Sequence, residues 1–501
     1  MADLDRREFL QRAGVGAAAL AVASELDLAQ ALADRLGSQQ RVGTKALREL
    51  KRMVSGRVFL RGESGYGNAR RVYNKRFDSL RPDAVVVVRN TGDVRAVMRW
   101  ANQYDVNLRA RSGGHSYAGY SSTDSGVVVD LSRLQSIQAS NGKRSATVGA
   151  GVGLIRMYGK LAKKGLTVPG GSCPTVGISG LALGGGMGFA SRTHGLSCDN
   201  ITGVSIVTPD GKLREVSKSN NPGLLWACQG GGGGNFGIVT DFTFKAYRVS
   251  SAAFYFASWP WSQASPALEA WQRLTDEATS ALCPFFGLST GSESPEVRSE
   301  GQFFGSEGDL RKALKPLTDV DGVRLRVGTK PYGELMKQWA GCAEERLKGC
   351  EQPNRVSFYG GSDYVEKALN SSGRNQMIKA IEERQGQNGS GAILLDGYGG
   401  AINRVRSTRT AFVHRDQLYC VQYYDQVANK GEQKSASKWI QKTRRRLTKF
   451  VSGQAYQNYI DPKLKNWQNA YYGKNYDRLV AVKTKYDPDN RLAFRQGIRP
   501  S

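Results

Sequence analysis

The sequence predicts an α+β fold with two packed units after a short N-terminal leader. The chain has 501 residues, more than one hydrophobic core usually organises. Short apolar strands alternate with amphipathic helices up to about residue 249, and glycines are densest between residues 113 and 237. After residue 250 the glycine density falls and the predicted strands and helices lengthen. We therefore divide the chain into residues 1–40, 41–249, 250–454 and 455–501.

The leader, residues 1–40, resembles a twin-arginine export signal. Arg6 and Arg7 are paired, and Phe9, Leu10 and a mild Ala/Gly/Val stretch follow. An ordinary amphipathic first helix is the alternative. The stretch is too short for a stable membrane span, and we expect no such span later in the chain. The twin-arginine machinery exports folded proteins, so we expect a periplasmic or secreted protein that takes up a cofactor before export.

The formal net charge of +27 would suit a nucleic-acid binder, but the chain carries no nucleic-acid motif. Its densest basic run, residues 437–450, places Trp439, Ile440, Leu447 and Phe450 at helical spacing. This pattern predicts a solvated amphipathic helix. We therefore expect no nucleic-acid partner, while attraction to acidic polymers or lipid head groups stays open.

The cysteines and histidines do not predict a metal site. Seven Cys and three His show no paired spacing of the zinc-binding kind. Cys342 and Cys350 could form a disulfide. Because the number of cysteines is odd, at least one thiol stays outside any disulfide within the chain. A covalent bond to a cofactor is one role for such a thiol.

The first unit is predicted as an alternation of helices and strands. We expect a helix from Lys45 to Arg57, a buried strand at Ala84–Val88 and a helix that Thr91 caps. The later elements are strands within residues 108–116, 126–134 and 145–152, a helix at 154–165 that Gly165 closes, a hairpin within 204–216 and a strand within 237–249.

The second unit is predicted as an antiparallel sheet covered by helices. A helix begins near Ser265 and Pro266, which suit the cap and the first turn. Residues 391–405 and 410–427 are predicted as adjacent strands able to form the floor of a substrate site. The last segment, 455–501, is rich in Tyr, Asn and Pro, and we expect it to return to the first unit.

Three glycine-rich loops are the strongest functional signal. The first holds His115, the second holds Cys173, and the third has five consecutive glycines, Gly230–Gly234. Such backbone can point its amides at an anion such as a phosphate. Alone, His115 could be an ordinary loop histidine and Cys173 a buried structural thiol. The second loop does not have the order of a nicotinamide-dinucleotide fingerprint.

Together, the three loops resemble those of berberine-bridge-enzyme-like FAD-linked oxidases of the vanillyl-alcohol-oxidase superfamily. The similarity runs from Pro82 to Val249 and resumes over residues 455–494. It implies a two-part FAD-binding domain of the PCMH type, made of 41–249 and 455–501, and a substrate domain at 250–454. It also implies bicovalent FAD, with His115 bonded to the flavin 8α-methyl and Cys173 to ring carbon 6.

The resemblance implies further contacts to the FAD. We expect them from the residues around the glycine-rich loops and the strand that follows: Arg111, Ser112, Gly113, Gly114, Ser116, Gly119, Gly177, Gly180, Gly184, Gly185, Gly188, Asn200, Gly237, Ile238, Val239 and Tyr459. Relatives often carry His at the position of Met187, so one polar contact of the family is expected to be missing here.

By resemblance, the enzyme would move a hydride from an alcohol or hemiacetal carbon of a carbohydrate-like substrate to flavin N5, and O2 would reoxidise the flavin to give H2O2. Tyr459 is the expected catalytic base with Asp396 as its proton acceptor, and Tyr398 and Tyr424 are rivals. One alternative is a tailoring oxidase or dehydrogenase of secondary metabolites. Another is a basic, anionic-polymer-binding protein with a vestigial flavin fold.

Overall fold

The computed structural model describes residues 41–352 and 354–501. The predicted export signal, residues 1–40, lies outside the described residues. Two large hydrophobic clusters organise the rest, one built mainly from residues 46–254 with the C-terminal segment and one from residues 253–447. The predicted α+β class is confirmed. The segment boundaries themselves stay predictions.

The first half of the chain forms two main sheets. In the four-stranded sheet, three strands run parallel and the first is antiparallel to them. Its order is β1 (Arg57–Leu60), β2 (Ala84–Val87), β4 (Val127–Asp130), β3 (Leu108–Arg111). The five-stranded sheet is antiparallel. Its order is β5 (Ile137–Ser140), β6 (Ser145–Gly149), β10 (Ile238–Lys245), β8 (Ile201–Val207), β9 (Leu213–Ser217). A short pair joins β7 (Leu166–Thr167) to β11 (Tyr247–Arg248).

The second half forms one antiparallel sheet of seven strands. Its order is β15 (Arg324–Pro331), β12 (Ser251–Trp259), β14 (Glu296–Phe303), β13 (Leu282–Ser289), β17 (Ser390–Gly397), β18 (Tyr419–Val427), β16 (Ser357–Val365). Helices pack on this sheet, and side chains such as Ile393 and Val421 are buried beneath them. Because side chains alternate along a strand, the neighbours of these residues point to the opposite face.

In the described part of the chain the α-helices are Thr44–Met53, Tyr66–Ala69, Thr91–Gln103, Leu154–Ala162, Ile178–Gly184, Ser191–His194, Pro222–Cys228, Ala264–Glu277, Glu307–Ala313, Lys315–Thr318, Tyr332–Trp339, Leu347–Cys350, Ser371–Gln385, Gln433–Leu447, Trp467–Tyr472 and Tyr476–Tyr486. Short 3-10 turns lie at Lys75–Phe77, Cys198–Asn200, Trp261–Gln263, Lys430–Glu432, Gln457–Tyr459 and Gly473–Asn475.

Several local predictions are confirmed. The hairpin joins β8 to β9, and β17 pairs with β18. The two paired strands are shorter than predicted, because β17 ends at Gly397 and β18 begins at Tyr419. The basic run lies in the helix Gln433–Leu447, whose Trp439, Ile440 and Leu447 are buried. Cys342 and Cys350 form a disulfide.

Two predicted helix caps are wrong, and one predicted helix extends beyond the observed end. Asn90 caps the helix predicted to start at Thr91, because its side-chain oxygen accepts a hydrogen bond from the Asp93 amide at 3.0 Å. The helix predicted from Ser265 begins at Ala264, and the Ser265 hydroxyl instead accepts a hydrogen bond from Arg374. The first helix ends at Met53, which places Arg57 in β1.

The C-terminal segment contacts the first half of the chain. The Lys483 ammonium donates to the Asn235 carbonyl at 2.8 Å, and the Ile498 amide donates to the Asn235 side chain at 3.0 Å. The Leu108 amide of β3 donates to the Arg491 carbonyl at 3.1 Å. This segment thus buttresses the third glycine-rich loop. Of the helices in the described part of the chain, none has the length and apolar character needed to cross a membrane.

Candidate functional site

A cavity of about 560 Å³ lies where the glycine-rich loops meet the open face of the seven-stranded sheet. His115 and Cys173 contribute to its wall from the first half of the chain. Asp396 of β17 contributes from the sheet, and Tyr459 contributes from the C-terminal segment. Residues far apart in the sequence therefore line one cavity.

The first two glycine-rich loops pack directly on each other. His115 Nε2 lies 2.9 Å from Thr175 Oγ1, two residues beyond Cys173. A Cβ added at Gly113 would overlap backbone atoms of Thr175 and Gly177, and one added at Gly177 would overlap the Ser112 hydroxyl. Only glycine permits so close an approach of two backbones. This packing brings the His115 and Cys173 loops to one region of the cavity wall.

His115 is held as a neutral ring. It stacks on Tyr73 with 3.9 Å between ring centroids, and burial lowers the pKa of His115 to about 4. Its Nε2 is engaged by Thr175, while Nδ1 has no hydrogen-bond partner among the described residues. In the tautomer whose Nε2 donates its proton to Thr175, the Nδ1 lone pair is available for a bond.

Cys173 differs from the other free cysteines. It is exposed, whereas the four other free cysteines of the described chain are buried: Cys198, Cys228, Cys283 and Cys420. Since Cys173 lines the cavity, its exposed surface faces that space. The protein around the thiol raises the pKa of Cys173 by desolvation. The side chain is thus accessible to a bound group and is mainly a thiol at neutral pH.

Tyr459 and Asp396 form a hydrogen-bonded pair. The Tyr459 hydroxyl donates to Asp396 Oδ2 at 3.0 Å. Burial raises the pKa of Asp396 to about 7, and it raises the pKa of Tyr459 well above its usual value of 10. The structure therefore places beside Tyr459 a carboxyl whose pKa is close to neutrality, and it does not provide a tyrosine with a lowered pKa. The sequence proposed this contact, and the catalytic roles of the two residues stay predictions.

The two rival tyrosines differ in position. Tyr398 is fully buried, and its hydroxyl lies 3.0 Å from that of Tyr364. Its side chain does not line the cavity in the described structure. Tyr424 does line the cavity and stacks on Phe358 with 5.0 Å between ring centroids. Tyr424 therefore remains the alternative to Tyr459 as the catalytic base, and a variant must test it.

The cavity has the features expected of a binding site for a dinucleotide such as FAD. Much of its wall is glycine backbone, and a Cβ at Gly188 would overlap the Gly170 carbonyl. Gln457 lines the cavity, and its buried side-chain Nε2 has no hydrogen-bond acceptor among the described residues. A buried donor without a partner is costly unless a ligand accepts from it. The residues present therefore fit a large polar cofactor.

The cavity brings together most of the predicted cofactor contacts. The residues that line it are Ser112, Gly113, Gly114, His115, Ser116, Cys173, Gly177, Gly180, Gly188, Gly237, Ile238, Val239 and Tyr459. The residues predicted for the site that do not line it are Arg111, Gly119, Gly184, Gly185 and Asn200.

These five residues lie outside the cavity lining and make packing, ion-pair or hydrogen-bond contacts next to it. Arg111 forms a buried ion pair with Asp130 at 2.7 Å. Asn200 donates hydrogen bonds to the His194 and Leu196 carbonyls. The three glycines permit close packing: Gly119 against Phe77, Gly184 against Asn458 and Gly185 against Tyr456.

Sequence reasoning missed several residues of the site. Tyr117 stacks on Tyr459 with 5.5 Å between ring centroids, and its hydroxyl accepts a hydrogen bond from Gln422 at 2.5 Å. Tyr117 follows His115 by two positions, so its place in the loop could have indicated it. Gln422, Tyr73 and Thr175 gave no such signal, because their roles depend on contacts between distant segments.

Met187 occupies an apolar position. It is buried in a cluster with Phe412 and Tyr456 and lines the cavity. A thioether is a weak acceptor and no donor. The methionine therefore contributes packing where a histidine could donate a hydrogen bond. Within residues 41–352 and 354–501, no cluster of His, Cys, Asp and Glu could hold a metal ion.

Known proteins have sequences similar to that of this chain. Residues 82–217 match the FAD binding domain family, and residues 455–499 match the family described as berberine and berberine like. An uncharacterized FAD-linked oxidoreductase of Bacillus subtilis is 34% identical over 458 residues, covering 90% of this chain and 98% of that protein. Chitooligosaccharide oxidase of Gibberella zeae is 30% identical, covering 85% of this chain and 89% of the relative.

Solved structures share the fold over nearly the whole described chain. The berberine-bridge-enzyme-like protein 1 of Physcomitrella patens superposes with a TM-score of 0.85 at 30% identity, covering 91% of this chain and 99% of that one. A chitooligosaccharide oxidase gives a TM-score of 0.83 at 27% identity, covering 91% and 100%. The chain carries an FAD-binding domain, and the protein belongs to the berberine-bridge-enzyme-like FAD-linked oxidoreductases.

Proposed function

We propose that this protein is an exported FAD-dependent oxidase that acts on an alcohol or hemiacetal carbon of an oligosaccharide. The observation that carries the proposal is the Tyr459–Asp396 hydrogen bond in the same cavity as His115 and Cys173. The names of two relatives, chitooligosaccharide oxidase and glucooligosaccharide oxidase, favour a sugar chain as the substrate. Arg6 and Arg7 favour export by the twin-arginine machinery.

FAD would be held at two positions. His115 Nδ1 is free of hydrogen bonds in the described structure, and the Cys173 side chain is exposed in the cavity wall. Both residues therefore present a nucleophilic atom for a covalent bond to the cofactor. When bound, FAD supplies the two-electron oxidation of the substrate carbon and transfers the electrons to O2, which gives H2O2.

The protein's own part in the reaction is to move a proton. As the substrate hydroxyl is oxidised, its proton passes to the Tyr459 oxygen, and the Tyr459 proton passes to Asp396 Oδ2. Asp396 can accept it because its pKa, raised to about 7 by burial, leaves much of the carboxyl ionised at neutral pH. The stack of Tyr117 on Tyr459 fixes the direction of the phenol ring.

The attachment of FAD is tested by acid denaturation of the purified protein, followed by a visible spectrum and an intact mass. We expect the flavin to stay with the polypeptide. His115→Ala and Cys173→Ala should each keep one bond, which peptide mapping would locate on the remaining residue, and the double variant should release the flavin. Release of flavin from the wild-type protein would contradict the bicovalent proposal.

The substrate class is tested by peroxide formation on a panel of oligosaccharides and of alcohol-bearing secondary metabolites. We expect peroxide with the sugars. Oxidation of metabolites alone would favour a tailoring oxidase, and a colourless protein that only binds anionic polymers would favour the vestigial-fold alternative. Export is tested by fractionating cells that express the wild type or Arg6→Lys/Arg7→Lys, and the variant should stay in the cytoplasm.

A further inference from the structure

A second large depression lies beside the cavity and differs from it in charge. Its volume is about 1490 Å³, and six arginines but only one carboxylate line it within the described chain. The arginines are Arg57, Arg71, Arg89, Arg111, Arg133 and Arg355, each from a different segment. We call this depression the arginine groove.

The arginine groove lies at the carboxyl ends of the parallel strands. Val87, Arg111 and Asp130, the last residues of β2, β3 and β4, all contribute to its lining. Ligands of open sheets commonly bind at this edge. The groove also borders the cavity, because Tyr73 and the loop residues 112–114 line both. A ligand in the groove therefore lies next to the proposed site of oxidation.

Much of the positive charge in the groove is not neutralised. Asp130, its one carboxylate, is paired with Arg111, and Arg355 is paired with Asp78. The other four arginines are exposed and form no ion pair with any residue of 41–352 or 354–501. Converging like charges repel one another and attract anions. The groove thus has the electrostatics of an anion-binding surface.

The chemistry of the lining narrows the class of ligand. Among residues 41–352 and 354–501, no lysine lines the groove, and arginine's planar fork pairs with carboxylate and sulfate-like groups through two parallel hydrogen bonds. Proteins that bind single-stranded nucleic acids commonly stack the bases on free aromatic faces. The two aromatic rings of the groove are engaged, since Arg57 covers Phe59 at 4.4 Å and Tyr73 stacks on His115. The lining therefore suits an anionic chain without bases.

We propose that the arginine groove is a docking site for an anionic polysaccharide, such as a uronate polymer. The choice of a sugar chain rests on the proposed oligosaccharide oxidase, whereas the anionic character follows from the groove itself. The docked polymer would hold the enzyme on acidic, carbohydrate-rich material beside the cavity. This docking would give the chain's large positive charge a specific use.

The test compares two variants with the same change in charge. Arg89→Gln/Arg133→Gln alters two exposed groove arginines, and Arg273→Gln/Arg324→Gln alters two exposed arginines of the other half of the chain. Full-length, flavin-loaded protein is titrated into fluorescent polygalacturonate, uncharged dextran and single-stranded DNA, and anisotropy reports binding without turnover. A failure of docking is thus distinguishable from a failure of the oxidase proposal.

We expect the wild type to bind polygalacturonate and not dextran, with affinity that falls as salt is added. The groove variant should bind about fivefold more weakly, while the control should change by less than about twofold. Arg89→Lys/Arg133→Lys keeps the charge and loses the planar fork, so its affinity should lie between that of the wild type and that of Arg89→Gln/Arg133→Gln, which would separate charge from folding. Equal losses in both Gln variants, no binding by the wild type, or tighter groove-dependent binding of DNA would each overturn the proposal.

Discussion

The Tyr459 hydroxyl donates a hydrogen bond to Asp396 at 3.0 Å and thereby joins the C-terminal segment to strand β17. Because the two groups share one hydrogen bond, the charge of each affects the pKa of the other. The raised pKa of Tyr459 keeps the phenol protonated in the resting site, and the pKa of about 7 for Asp396 makes the carboxyl the group that responds to neutral pH.

Tyr459→Phe removes the hydroxyl and keeps the ring. Loss of a general base slows a reaction by about 10²–10⁴-fold, and we expect flavin reduction in single-turnover experiments to slow by that amount. The flavin should stay attached, because His115 and Cys173 are unchanged. Tyr424→Phe, on the rival tyrosine of the cavity, is the matched control and should slow reduction far less. The reverse ranking would assign the base to Tyr424.

Asp396→Asn removes the proton acceptor. In the wild type, the carboxyl must be ionised to take the proton, so the rate of flavin reduction should rise with pH through about 7. In the variant the rate should be lower and this rise should be absent. The measurement is a series of stopped-flow traces across pH for both proteins. An unchanged pH profile in Asp396→Asn would remove Asp396 from the proton path.

The same substitution should change stability in a pH-dependent way. The pKa of Asp396 is raised in the folded protein, so the unfolded state loses the proton first, and stability falls as pH rises from about 4 to about 7. Asp396→Asn removes the group that causes this loss of stability. The substitution should therefore raise the thermal midpoint more at pH above 7 than at acidic pH. Asp416→Asn, on an exposed aspartate, is the control and should show no such difference.

Lys483→Met should destabilise the contact between the C-terminal segment and the third glycine-rich loop. The Lys483 ammonium is fully buried, 2.5 Å from the Asp487 carboxylate and 2.8 Å from the Asn235 carbonyl. Removing one partner of a buried ion pair costs about 3–5 kcal/mol.

Denaturant unfolding measures this cost, with Lys315→Met as the control. Lys315 pairs with Asp319 on the surface, and loss of that pair should cost less than about 1 kcal/mol. Equal costs for the two substitutions would show that the buried pair does not anchor the C-terminal segment.

The sequence was most informative where structure depends on neighbouring residues. The hairpin between β8 and β9, the pairing of β17 with β18 and the helix over the basic run were all predicted, because turn residues and apolar periodicity act over a few positions. Local competition between neighbours explains the error at the helix Thr91–Gln103. Asn90 and Thr91 both suit a helix cap, and the folded backbone uses Asn90.

For the site, the sequence alone determined which chemical groups were available: His115 and Cys173 in glycine-rich loops, Tyr459 near the C-terminus and the family that joins them. Only the tertiary structure decided which of these groups meet. The His115–Thr175 and Tyr459–Asp396 contacts span 60 and 63 positions, and Arg111 turns from the cavity to pair with Asp130. Such contacts depend on how whole sheets and loops pack against each other, and residue patterns do not record that packing.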